Sequence, residues 1–220
     1  DVGASVMKAW GDIKVKTGGK VTGLVLDLRS NPGGLLDEAV ALSDLFLEKG
    51  TIVSQRGRYA RDNEVYPAEM MTRGDIAKGV PMIVLIDEGS ASASEIVAGA
   101  LQDQHRAVVM GQRSFGKGSV QTLIPLSRDT AIKLTTARYY TPSGKSVQEG
   151  GIEPDIIVPQ LSDPDYKSRP RFREADLGRH LINEAKVDNS VLEDRFFPNV
   201  MVKQKASEWT AQQSAPRPAV

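Results

Sequence analysis

The 220-residue chain has no cysteine. That excludes disulfides, thiolate metal sites and a cysteine nucleophile, and it fits, weakly, an exported protein that avoids thiol oxidation. Neither sign of charge is in excess, with 28 Lys+Arg against 28 Asp+Glu, so no global field argues for nucleic acid or an anionic membrane as the partner. No apolar run approaches the ~20 residues that span a bilayer. Histidine is scarce: the two copies are His105, in a polar link, and His180, in a charged C-terminal stretch. Both read as surface residues, which disfavours a Ser-His-Asp triad. No His/Asp/Glu cluster has metal-ligand spacing, and Asp27 and Asp87, at strand ends, read as solvated or capping carboxylates. No metal or cofactor is expected.

What remains is ordinary soluble material, 40% hydrophobic and 25% charged, long enough for one full-sized core. Val21 to Leu28 is β-branched and apolar, a buried strand by pattern. It runs into Arg29-Ser30-Asn31-Pro32-Gly33-Gly34, a turn by its chemistry. Leu35 to Leu47 recurs at helical spacing and Gly50 closes the helix. Thr51–Ser54 reads as a strand, and Arg56 to Lys78 as a polar excursion or lid. Pro81–Asp87 is a second buried strand, followed by a helix from about Ala91 to Leu101 and a strand at Ala107–Met110. Val120–Leu126 and Ala131–Tyr139 form a hairpin, and Ile156–Pro159 a last strand. The strand-turn-helix unit occurs twice, an α/β layout. Residues 1–160 form the core; 161–220 read as a peripheral extension, helical at Phe172 to Lys186, with a disordered tip at Ser214–Pro218.

Two stretches carry chemistry. In Gly89-Ser90-Ala91-Ser92-Ala93-Ser94-Glu95-Ile96 the local motif reads first as a capping box, Ser92 as N-cap and Glu95 three residues on. The same helix start is where free N–H groups favour a nucleophile's oxyanion. Local sequence does not rank Ser90, Ser92 and Ser94, and the Gly-x-Ser-x-Gly elbow is absent. In Gly116-Lys117-Gly118-Ser119-Val120-Gln121, Lys117 is either a surface lysine in a turn or a base kept neutral by burial. Its glycines would permit close approach to Ser92, and Gln121 is either a polar strand-edge side chain or a hydrogen-bond partner that orients the amine. Gly111 to Lys117 nearly spells a phosphate-binding loop, but Gly118 replaces the Mg²⁺-binding hydroxyl and a strand follows. The glycines of the 31–34 turn offer N–H groups for an oxyanion.

The stretches 23–34, 89–96 and 116–121, with Tyr140–Gln148 and Gly151–Asp155 in the same order, resemble the signatures of carboxy-terminal processing proteases, also called tail-specific proteases. The resemblance covers about Val21 to Pro159. It implies Ser92 as nucleophile, Lys117 as general base, Gln121 as the residue orienting the lysine, and an oxyanion hole from Gly33, Gly34 and the Ala93 N–H. It also implies a crotonase-like spiral of β-β-α units, here with a C-terminal helical extension. Protein or peptide substrates, an exported or periplasmic location, and a homo-oligomer or activating partner go with it. Members normally carry a PDZ domain ahead of the core. Residues 1–20 read only as the helix and linker before the first strand, so the sequence is expected to be the catalytic core of a longer protein. The rival readings are a non-catalytic peptide-binding or assembly protein on the same fold, and a nucleotide binder using residues 111–117.

Overall fold

The computed structural model describes residues 1–68, 74–158, 172–178 and 180–183. Helix α1 (Val2–Lys16) starts where the Asp1 carboxylate accepts the Ala4 N–H at 2.9 Å, and it ends with Lys14 and Lys16 at the negative pole of its dipole. Strand β1 (Leu24–Asp27) leads through the 28–35 turn into α2 (Leu36–Asp44). Then come β2 (Thr51–Gly57), β3 (Glu64–Pro67), β4 (Met82–Ile86) and α3 (Ala93–Asp103). The chain continues with β5 (Val108–Gly111), β6 (Ser119–Pro125), β7 (Ala131–Tyr140) and the short β8 (Ile156–Ile157).

The strands make two four-stranded sheets. One is wholly parallel in the order β1-β4-β5-β8, the other antiparallel in the order β3-β2-β7-β6. Parallel neighbours need a crossover, and α2 and α3 lie on the β1-to-β4 and β4-to-β5 connections. β4 is one of the two inner strands, with Met82, Val84 and Ile86 buried on one face. Helix α3 lies deepest of the three helices: every residue from Ala93 to Leu101 is buried. Its Ile96, Val97, Ala100 and Leu101 share one core with Phe46, Ile52 and Val109. Among the described residues no helix is long and apolar enough to cross a membrane.

Three sequence expectations need correction. β1 is an edge strand, so it is shorter than expected and Val25 is exposed rather than buried. The polar stretch after Arg56 is not all excursion: it contains β3, which pairs antiparallel with β2, and the buried Ala68 and Ala77. The helix expected from Phe172 is, in the described part, one 3₁₀ turn at Glu174–Asp176. Beyond that turn's own bonds, its backbone and side-chain groups bond the neighbouring loops at 115 and 148–150 rather than continuing a helix. Residues 161–171 and 184–220, including the expected disordered tip, lie outside the described residues.

Candidate active site

The end of β4 is stitched to the turn after β1. The Asp87 carboxylate, buried, accepts the Ser30 N–H at 2.7 Å, the Gly89 N–H at 3.0 Å and the Ser30 hydroxyl at 3.1 Å. Asp87 is thus the capping carboxylate that its strand-end position suggests. Ser90 donates its hydroxyl to the Leu28 carbonyl at 2.7 Å, and the Ala91 N–H reaches the Asn31 carbonyl at 3.0 Å. Asp27 faces outward and pairs with Arg29 instead, which holds its carboxyl below the usual range.

The stitched loop delivers Ser92 to the head of α3 in an unusual backbone state, φ 55° and ψ −114°. Positive φ is uncommon for a residue with a side chain, and this ψ lies outside the left-handed helical well. Such a conformation costs on the order of 1–3 kcal/mol and persists only where the surroundings enforce it. The Gly-x-Ser-x-Gly sequence is missing, yet a strained serine on a strand-to-helix turn is present. The expected capping box is only half formed. Glu95 accepts the Ser92 N–H at 2.7 Å, but the Glu95 N–H goes to the Ser92 carbonyl at 2.9 Å, not to its hydroxyl. Ser92 therefore keeps its hydroxyl uncommitted among the described residues.

The Gly33 turn lies against this elbow. Gly33 has φ 90°, and a methyl group there would sit 2.5 Å from the Ala91 carbonyl oxygen and 2.7 Å from the Ala93 nitrogen. Only glycine fits. Its own N–H is taken by the Asn31 side chain at 3.0 Å, while the N–H groups of Gly34 and Ala93 have no partner among the described residues. Beside them a cavity of about 100 Å³ is lined by Leu28, Leu35, Ala39, Leu42, Ala93 and Val97, with Asn31 and Glu38 among its polar lining.

The lysine loop, between β5 and β6, meets the elbow through Glu95. This carboxylate is fully buried. Its Oε1 accepts the Ser114 hydroxyl at 2.5 Å and the Gly116 N–H at 2.6 Å; its Oε2 accepts the Lys117 N–H at 2.9 Å besides that of Ser92. The backbones of Ser92 and Lys117 are thereby held two hydrogen-bond lengths apart. Burial pushes the Glu95 carboxyl up to about 7, against the four donors, which pull it down. The glycines flanking Lys117 serve a different neighbour from the one expected. A methyl at Gly116 would lie 2.8 Å from the Glu149 carbonyl, and one at Gly118 only 2.2 Å from the Gln148 nitrogen.

Lys117 is half-buried, and Gln121 is exposed in β6 just past a register shift between Val120 and Gln121. Among the described residues no hydrogen bond joins the Lys117 amine to Ser92 or Gln121. His180 is not the free surface histidine expected: its Nε2 lies 2.5 Å from Glu149 Oε1. His105 is exposed, as expected. Among the described residues no group of three or more His, Cys, Asp or Glu side chains has the arrangement to hold a metal ion. The nucleotide reading of residues 111–117 meets a physical obstacle, because the Gly116 and Lys117 N–H groups already cradle the Glu95 carboxylate. Sequence reasoning placed Glu95 only in a cap. Nothing local announces that it reaches 22 residues ahead.

A mixed α/β domain that presents a strained serine beside unpaired amides and a lysine loop has the outline of a hydrolase. The chain belongs to peptidase family S41, whose model matches residues 2–158. It is similar to a carboxy-terminal-processing protease of Bartonella bacilliformis, 52% identical over 180 residues, which is 81% of this chain and 41% of that protein. It is also similar to a carboxyl-terminal-processing protease of Synechocystis, 42% identical over 63% of this chain and 31% of the relative. Among solved structures, a photosystem II D1 C-terminal processing protease superposes with TM-score 0.63 at 36% identity, covering 71% of this chain and 39% of that one. Mature CPAF shares the fold alone, at TM-score 0.57 and 16% identity over 73% of this chain and 44% of its own. The chain thus spans well under half the length of these relatives.

Proposed function

We propose that this chain carries the catalytic core, residues 1–160, of a serine endopeptidase that cuts protein substrates near exposed C-termini. The observation that carries the reading is Ser92: strained, at the head of a buried helix, with an uncommitted hydroxyl beside two unpaired N–H groups. In the proposed reaction neutral Lys117 takes the hydroxyl proton as Ser92 Oγ bonds to the scissile carbonyl carbon. The Ala93 and Gly34 N–H groups hold the oxyanion, a contribution of about 3–4 kcal/mol per donor, while Gly33, its N–H spent on Asn31, shapes the turn. The lysine then returns the proton to the departing amine as the C–N bond breaks. Water, deprotonated by Lys117, hydrolyses the Ser92 ester. Gln121 orients the amine. The apolar cavity beside Gly34 suits a small apolar side chain next to the cut.

The repeated strand-turn-helix units are read as turns of a crotonase-like spiral. An exported or periplasmic site of action, protein or peptide substrates, and an activating partner or homo-oligomer belong to the same proposal. The relatives named as processing proteases support it. The test is degradation of an unfolded protein, with Ser92→Ala and Lys117→Arg alongside. Arginine stays protonated, so both variants are expected to lose at least a thousandfold. Turnover surviving in Lys117→Arg sinks the dyad. A folded protein that neither cleaves nor lets a serine-directed probe label Ser92 favours a peptide-binding role instead.

A further inference from the structure

The lysine loop is gripped from two sides, and one grip comes from outside the family-matched residues 2–158. The inner grip is Glu95. The outer one begins at Gln148, whose side chain is fully buried. Its Oε1 accepts the Gly118 N–H at 3.1 Å; its Nε2 donates to the Leu181 carbonyl at 2.8 Å and to Glu174 Oε1 at 3.2 Å. An N–H on one end and two acceptors on the other fix the amide's orientation. On the other flank of the lysine the Glu149 N–H meets the Gly116 carbonyl at 2.8 Å. Both neighbours of Lys117 are therefore bonded to the 148–149 pair.

That pair is in turn held by the C-terminal segment. Asn183 donates its side-chain amide to the Gln148 carbonyl and its backbone N–H to Glu149 Oε2, both at 2.8 Å. Arg173 donates to the Glu149 carbonyl at 2.9 Å, and His180 contacts the Glu149 carboxylate. The Glu174 N–H reaches the lysine loop directly, at the Phe115 carbonyl, 3.2 Å away. Seven polar groups of a segment with one 3₁₀ turn converge on two residues and the loop beside them.

We propose that residues 172–178 and 180–183 form a strap that positions Lys117, with Gln148 as the positioning residue that carries the strap's hold to Gly118. Gln148 touches no reacting atom. It fixes where the lysine's backbone sits and so how far its amine stays out of water. The proposal rests on the reading of Lys117 as the base.

The test uses the full-length protease. Gln148→Met keeps the side chain's volume and removes its hydrogen bonds. We expect kcat to fall ten- to a hundredfold with KM unchanged. Amide exchange across 114–118 should accelerate. Asn183→Ala, which loosens the strap from outside the core, should show the same pattern at three- to tenfold, and it decides the matter if Gln148→Met does not fold. Parent-like kcat and exchange overturn the strap, and so does a loss of rate carried by KM or one without faster exchange at 114–118. Lys117→Ala run alongside separates the two ideas. Activity that survives it refutes the lysine base, while the exchange at 114–118 still reads whether the strap holds the loop.

Discussion

The two halves of the site are built by opposite means. On the serine side a strand and a helix do most of the positioning, with Asp87, Ser90 and Glu95 tying the turns between them. Ser92 is clamped between β4 and α3, its φ and ψ are forced, and the residues around it from Ala93 to Leu101 are buried. On the lysine side the main chain is a glycine-bracketed loop, and side chains from elsewhere hold it: Glu95, Gln148 and, beyond them, the 172–183 segment. A nucleophile needs one fixed oxygen. A base must keep a long, flexible amine at a set depth, and rigid walls around a loop achieve that better than a regular element. Glu95 joins the halves, and it belongs by sequence to the serine side.

The largest effect should come from breaking the serine side sterically. Gly33→Ala places a methyl 2.5 Å from the Ala91 carbonyl at a backbone φ of 90°. The turn must move away from the elbow, and we expect at least a thousandfold loss of kcat with only moderate loss of thermal stability, read by steady-state kinetics and a melting curve. Glu95→Gln should come next. All four partners of this carboxylate donate, so an amide must turn its NH₂ toward a donor and leave a buried N–H unpaired, at about 1–3 kcal/mol. A hundredfold loss of kcat is expected, because both halves lose their common anchor. If Glu95→Gln proves mild while Gly33→Ala is severe, the halves are not coupled through this residue.

The same carboxylate sharpens the contrast through pH. Its folded pKa of about 7 lies above its ordinary 4.5, so the fold resists its ionisation. The stabilisation is complete below about pH 4.5 and is lost as pH rises through about 7, with a limiting slope near 1.4 kcal/mol per pH unit. Activity should run the other way. A proton on Glu95 leaves one of its four donors without an acceptor, so turnover falls as pH drops through about 7. Unfolding measured from pH 4 to 9 should show the slope in the parent and its absence in Glu95→Gln. His180 adds a weaker trend of the same sign. The Leu177 carbonyl and the Glu149 carboxylate, with Glu174 further off, raise its pKa. Its contribution is present below about pH 6.5 and fades as pH rises through the higher folded value.

How much of this was legible follows the same division. The serine side is local: strand, turn chemistry and helix are contiguous, and the order of β4, elbow and α3 could be read from residues 81–101. The lysine side is not. Lys117 drew notice through its glycines, but their reason, the close approach of Gln148 and Glu149, depends on residues some 30 positions away. Glu95 was read as a local cap because a capping box explains it without any partner beyond the helix start. The stretch Phe172 to Lys186 reads as helix for the same reason, where the described part holds one 3₁₀ turn. Charged and apolar residues at helical spacing say nothing about polar groups spent on another loop.

A smaller effect is expected where the lysine side runs into solvent. Gln121 is exposed on β6, so Gln121→Ala should cost about tenfold in kcat if it orients the amine, since an exposed hydrogen bond competes with water. A loss as deep as that of Lys117→Arg would show that Gln121, rather than Gln148, sets the lysine. Further along the same ribbon the effect should vanish. Leu123 and Leu134 are 66% and 47% exposed on the β6–β7 hairpin, far from either grip in sequence. Leu123→Ser and Leu134→Ser remove little buried surface, and changes of that kind usually stay within about 0.5 kcal/mol. We expect parent-like melting and parent-like labelling of Ser92 by a serine-directed probe. A drop in labelling without a drop in stability would mean that the hairpin tip transmits to the lysine, and the boundary between a held base and a free ribbon would have to move outward along β6.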